Sequence, residues 1–220
     1  MPRISRLVAV GFPHHVVQRG NNRQKVFFAR ATREKYLDLL KEYSQRWDVS
    51  ILAYCLMTNH IHLLVKPKEP DSLAKMMQGV TLGYTRYRNK RYKKTGRLWE
   101  SRYYSSIIDE EKYLWTVARY IEQNPVRAGI VGQAEDYPYS SAPAHIKGIK
   151  DETLSEPLFD DEETAAYIEL IRGAIPEKEI KGIRLSVKRC RPLGDAGFIE
   201  KIGKLLGVDF QKTASAIPNK

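Results

Sequence analysis

Residues 60–66 read HIHLLVK, an alternation that constrains the fold more than any other stretch of this chain. Side chains two residues apart in a strand point the same way. As a strand, this run places His60, His62 and Leu64 on one face and Ile61, Leu63 and Val65 on the other. The second set is wholly apolar and belongs against a core. The histidines then project together from the opposite face. Two imidazoles so placed can chelate one divalent cation. They can equally be two half-exposed histidines satisfied by water or hydrogen bonds, and the motif alone leaves both readings open.

The neighbouring segments supply the rest of a sheet. HHVVQRG (14–20) is a short β-rich run ended by a Gly-Asn-Asn turn signal. VSILAYCLM (49–57) reads as a strand, joined by a tight turn to 60–66, which Pro67 ends. RLWESRYYSSII (97–108) reads as the fourth strand. Apolar residues at helical spacing predict a helix from Thr32, its plausible N-cap, to Trp47. A second follows Asp71 or Ser72, with Leu73, Met76, Met77, Val80, Tyr84 and Tyr87 as its apolar face. A third follows Asp109 and runs to Asn124, where Pro125 is expected to stop it. The order β-α-β-β-α-β, then α, predicts an α+β fold of ferredoxin-like type. That is a four-stranded antiparallel sheet with helices on one face and the other face open to a ligand. In this topology the first and third strands are neighbours, so His15 is expected beside the His60/His62 pair. His14 is the less expected of the two to line a site.

Charge divides the 220 residues. Residues 1–150 hold 26 Lys+Arg against 13 Asp+Glu; residues 151–177 hold one Arg against nine acids; residues 178–220 hold ten basic against four acidic residues. The chain therefore reads as a body (1–147), an acidic linker or helix (148–177) and a basic C-terminal helical tail (178–220). A basic body implies a polyanion partner, most often nucleic acid, although a merely soluble basic protein has the same composition. Two cysteines, distant in sequence, make no disulfide framework, and a reducing cytoplasm is expected. The longest apolar run near the start, Leu7 to Phe12, is too short for a signal core or a membrane span.

On the third helix, Tyr120 and Asn124 stand at i and i+4 and share a face. Taken singly, each has an ordinary explanation, a partly buried aromatic and a helix-end residue before proline. Taken with HHVVQRGNNRQKVFF, AYCLMTNHIHLLV, RLWESRYYSSII, RYIEQNPVRAGIV, DYPYSSA and KRCRPLGDAGFIEKIGKLLG, they carry a resemblance. The chain resembles the single-strand DNA transposases that have a His-hydrophobe-His motif and one catalytic tyrosine, and among these the REP-associated tyrosine transposases. The likeness spans residues 3–145 and 188–207, while 151–177 matches nothing.

The resemblance implies that His60 and His62 are metal ligands, that Asn124 takes the third ligand position, and that Tyr120 is the nucleophile. It implies Mg²⁺ or Mn²⁺ as cofactor and nicking with strand transfer through a 5′-phosphotyrosine. Single-stranded or hairpin DNA is the implied partner. Relatives include dimers that exchange the tyrosine helix and monomers with C-terminal extensions; the tail here favours a monomer.

DNA contacts are expected from the turn Gln18, Arg19, Asn21, Asn22 and Arg23, and from YTRYRNKRYKKTGR (84–97). That run has seven basic residues in fourteen, Arg86, Arg88, Lys90, Arg91, Lys93, Lys94 and Arg97, with tyrosines interleaved. It also reads as a core-facing helix with a solvated basic face. Trp99 is expected either to stack a base or to anchor the fourth strand. Arg127 and Arg119 are expected at phosphate, and Lys188–Arg191 as an additional contact. Two rivals remain at this level. An RNA-recognition module shares the element order, but HIHLLVK lacks its Gly-aromatic signature. A metal-dependent hydrolase would use water and leave Tyr120 incidental.

Overall fold

The structure is a computed structural model and describes residues 6–210; the outer ends of the expected body and tail, 1–5 and 211–220, lie outside the described residues. Four strands, β1 (His14–Arg19), β2 (Val49–Met57), β3 (His60–Pro67) and β4 (Tyr104–Ile107), form one sheet in the order β2-β3-β1-β4. The pairs are antiparallel. This is the arrangement that the element order predicts. β1 runs beside β3 with Val17 opposite His62 and Arg19 opposite His60.

On one face lie α1 (Arg30–Arg46) and α2 (Ser72–Tyr92). Val16, Ile61, Leu63 and Val65 meet Tyr36, Leu40, Leu73, Met76, Val80 and Tyr84 there, all fully buried. Each such side chain contributes about 1.5–3 kcal/mol by leaving water. The two helices pack closely because Gly79 has no side chain: a Cβ there would lie 2.3 Å from the Tyr43 ring. α1 starts at Arg30, before the expected cap. Thr32 sits inside its first turn, where Oγ1 accepts from the Ala29 amide at 3.2 Å.

The other face is not open, which corrects the expectation of helices on one side only. α3 (Glu110–Glu122) crosses it, with α5 (Ala142–Lys147), α6 (Thr164–Arg172) and α7 (Glu177–Arg189) around it. β2 is buried along its whole length because both its faces are covered: Val49, Ile51, Tyr54 and Leu56 serve one layer and Leu52, Ala53, Cys55 and Met57 the other, with the irregularity between Ile51 and Ala53 shifting the phase of the alternation. Its unbroken apolar sequence is what two-sided burial requires.

Glu122 ties this second layer together. Its fully buried carboxylate accepts hydrogen bonds from Ser141 Oγ, from His145 Nδ1 at 2.6 Å and from Tyr167 Oη at 2.8 Å. The acidic stretch packs into the same layer through Leu158, Tyr167 and Ile171. It also lies along the β2 edge, where the Ser155 amide donates to Ile51 O at 3.1 Å. Its acids meet basic residues of the body: Lys41–Glu152 at 2.6 Å and Lys66–Glu156 at 3.2 Å.

Two further boundaries differ from the sequence reading. Only Tyr104–Ile107 of the fourth run is a strand. Pro125 does not terminate a helix but opens one, α4 (Asn124–Arg127), because proline is tolerated in a first helical turn. α8 (Ala196–Leu206) closes the described chain. No helix among the described residues is long and apolar enough to cross a membrane.

Candidate active site

The sheet and α3 enclose a cleft of about 640 Å³, lined among others by Arg19, His60, His62, Glu100, Tyr104, Tyr120, Asn124, Arg127, Arg184 and Lys188. The alternation of β3 brings both histidines to it, and α3 lays its last turn over them. Tyr120 is 4% exposed. Its ring centroid is 5.8 Å from those of His15 and His62. His15 thus stands where the topology predicts, beside the pair. His14 faces away: Nδ1 donates to Phe12 O at 2.7 Å and Nε2 accepts from the Ala9 amide at 3.3 Å, which makes it a structural residue.

The histidines are held as free bases. Burial lowers His60 to about 4, with the Arg19 charge adding to the effect, and lowers His15 to about 3. His62 is lowered too, first by burial and then by the charges of its neighbours. Neutral imidazole is the form that binds metal.

The residues fit a divalent ion. His60 and His62 have centroids 5.1 Å apart, a separation that two adjacent ligands of one ion can span. His60 Nδ1 donates to Asn59 Oδ1 at 2.6 Å, which leaves its Nε2 lone pair free. Asn59 Nδ2 donates in turn to Arg23 O at 3.1 Å, linking the Gly20–Arg23 turn to this histidine. His62 Nδ1 lies 2.9 Å from His15 Nε2. Among the described residues no three His, Cys, Asp or Glu side chains form a metal cluster, and an amide oxygen is a donor that could add to the two imidazoles. Asn124 lines the same cleft and carries such an oxygen. Its Nδ2 donates to Tyr120 O and Ile121 O, at 3.1 and 3.0 Å. Its Oδ1 accepts from Arg127 Nη2 at 2.8 Å and keeps a second lone pair.

Arg127 does more than hold Asn124. Its guanidinium carbon lies 4.3 Å over the Tyr120 ring. Arg184 Nε donates to Tyr120 Oη at 3.4 Å.

The other expected DNA contacts divide. Arg19 lines the cleft, and Asn22 and Arg23 are exposed on the adjoining turn with left-handed backbone, φ 50° and 56°. Gly20 in that turn is required by close approach, since a Cβ would meet Gln24 O at 2.4 Å. Asn21 is partly buried, its amide donating to Leu98 O.

Gln18 points through the sheet to the other face. It is 3% exposed, and its amide is used by Ser101 O and Thr81 Oγ1. Arg86, Lys90, Arg91, Lys93, Lys94 and Arg97 are exposed, but on the α2 side, away from the cleft. Arg88 is buried over the Phe28 ring and Trp99 is buried against Tyr36 and Tyr84, so neither offers itself to DNA; Trp99 takes its anchoring role. Arg119 is likewise structural, paired with Glu179 at 3.0 Å.

Sequence reasoning missed Asn59, Tyr104 and Arg184. Asn59, next to the histidine motif in a two-residue turn, carried a local signal; Arg184 carried none.

The family model described as transposase, IS200-like, matches residues 10–124, the segment that holds β1 to Asn124. The chain belongs to the IS200-like transposase family. A Haemophilus influenzae protein assigned as a REP-associated tyrosine transposase is 29% identical over 118 residues, which are 49% of this chain and 66% of that relative. The chain thus spans just under two thirds of its length. The solved structure of a REP-associated tyrosine transposase bound to a REP hairpin shares the fold, with TM-score 0.58 and 18% identity. It covers 73% of this chain and 94% of that one. The IS200-like match stops before α5–α8, so Arg184 lies in a part of the chain outside it.

Proposed function

We propose that this protein is a metal-dependent tyrosine transposase that nicks single-stranded DNA and transfers the strand through a 5′-phosphotyrosine, acting on hairpin-bearing repeats. The observation that carries this reading is the placement of Tyr120 against His62, with Asn124 one turn on. The solved relative's REP hairpin supports a folded single strand as substrate.

His60, His62 and Asn124 would hold the ion. A bound Mg²⁺ or Mn²⁺ supplies positive charge to a non-bridging phosphate oxygen. Tyr120 Oη attacks phosphorus in line; the Oη–P bond forms as the P–O3′ bond breaks. The phenol proton passes to solvent, and the departing 3′-oxygen takes one. A later 3′-hydroxyl reverses these bonds on a new strand, so no nucleotide cofactor is consumed. Arg127, stacked on the ring and bonded to Asn124, holds nucleophile and ligand in one geometry.

The test is a labelled single-stranded hairpin oligonucleotide with Mn²⁺ or Mg²⁺. Wild type should yield a denaturant-stable protein–DNA adduct and a free 3′-hydroxyl. Tyr120→Phe should yield neither, and Tyr113→Phe, altered two turns up α3, should yield both. Nicking by Tyr120→Phe with hydrolysed ends would make water the nucleophile and overturn the proposal.

A further inference from the structure

α7 meets α3 at two consecutive residues in two different ways. Glu179 neutralises Arg119. Arg184, just over a turn later, brings a second positive charge to the Tyr120 hydroxyl. Around that hydroxyl the cleft holds Arg19, Arg127, Arg184 and Lys188 against one carboxylate, Glu100. Among the described residues none of these four makes an ion pair with a side chain, whereas eleven pairs form elsewhere. Four cations gathered against one carboxylate beside a nucleophile form a site for an anion.

We infer that Arg184 is a catalytic residue that grips the scissile phosphate and holds it in line with the Tyr120 hydroxyl. The inference rests on the proposed strand-transfer reading and names a residue for it outside the IS200-like match. The Arg184 guanidinium is a planar fork of five donors. Nε–H is directed at Oη, and the terminal N–H groups remain for two phosphate oxygens, so one rigid group spans nucleophile and electrophile. The 3.4 Å contact is long, as catalytic hydrogen bonds often are before substrate arrives. α7 does not depend on Arg184 for its position. Ile180, Ile183 and Val187 are buried on its inner face. Beyond it, Leu193 pairs with β4, accepting from the Asp109 amide at 2.9 Å and donating to Ile107 O at 2.8 Å.

The experiment uses the full chain and single-stranded hairpin oligonucleotides, each with one methylphosphonate at a successive linkage flanking the stem. Binding is measured in EDTA, so metal and chemistry play no part. For wild type, one linkage should lower affinity about tenfold on losing its charge. Arg184→Gln should bind the all-phosphate strand about tenfold more weakly and ignore the methylphosphonate at that linkage; Arg184→Lys should recover part of the difference. With Mn²⁺ added, Arg184→Gln should form adduct about a hundredfold more slowly.

Equal sensitivity of wild type and Arg184→Gln at every linkage would overturn the inference. So would adduct formation by Arg184→Gln at or above the wild-type rate, which would make α7 a cover over the tyrosine. If the binding cycle holds but wild type never forms an adduct, Arg184 is a phosphate ligand as inferred, and it is the strand-transfer reading that fails.

Discussion

His15 Nε2 and His62 Nδ1 lie 2.9 Å apart across β1 and β3, and both residues are at least 95% buried. One ring must donate to the other. When His62 donates, its Nε2 is freed for a metal and His15 becomes the group that fixes this tautomer. His15→Ala should then weaken Mn²⁺ binding by about tenfold to a hundredfold. Calorimetry on the DNA-free protein measures this directly. Unchanged affinity would mean that the pair is structural only.

Tyr120 meets His62 of its own chain, so the proposed site draws its nucleophile and its histidines from one copy. A His60→Ala/His62→Ala protein mixed with Tyr120→Phe should therefore form no adduct. Each variant lacks a part that the other cannot lend while α3 stays in cis. Recovery of about a quarter of wild-type activity, from the one intact site in each heterodimer of a random mixture, would instead show helix exchange between copies.

His14 is fully buried and held near pKa 4 by burial, against 6.5 in an unfolded chain. A folded value below the unfolded one means that the unfolded state binds more protons. This contribution to stability is present above about pH 6.5 and drains away as pH falls towards 4. Thermal melts should show Tm falling across that window. His14→Gln, which can keep one donor and one acceptor, should flatten the fall by about 1.4 kcal/mol per pH unit, the equivalent of one proton.

The exposed basic residues of α2 and the loop after it face away from the cleft. Neutralising Arg86, Lys90, Arg91, Lys93 and Lys94 together tests whether hairpin DNA reaches around to them. Each lost phosphate contact should reduce the slope of log affinity against log salt by about 0.7. A slope within error of wild type would assign that face to solvation. Arg88 belongs outside this set because it is buried.

Much of the site could be read from local period alone. A strand repeats every two residues, so His60 and His62 had to share a face and Ile61 and Leu63 had to take the other. A helix returns after four, so Tyr120 and Asn124 had to be neighbours. The element order then required β1 beside β3, and with it His15 beside His62. These follow from backbone geometry, which each short segment carries within itself.

What period could not specify was which surfaces would meet across long separations in sequence. Trp99 is core because Tyr36 and Tyr84 surround it, and the Gln18 amide, which the alternation of β1 already turns away from His15, finds Thr81 and Ser101 as its partners on the far side of the sheet. The second face closed because Leu158, Tyr167 and Ile180 found apolar partners on α3 and β2. Arg184 reached Tyr120, 64 residues away, through the packing of α7 and not through any motif. Burial energy rewards any complementary apolar pairing irrespective of distance along the chain, so only the folded structure selects which of those pairings forms.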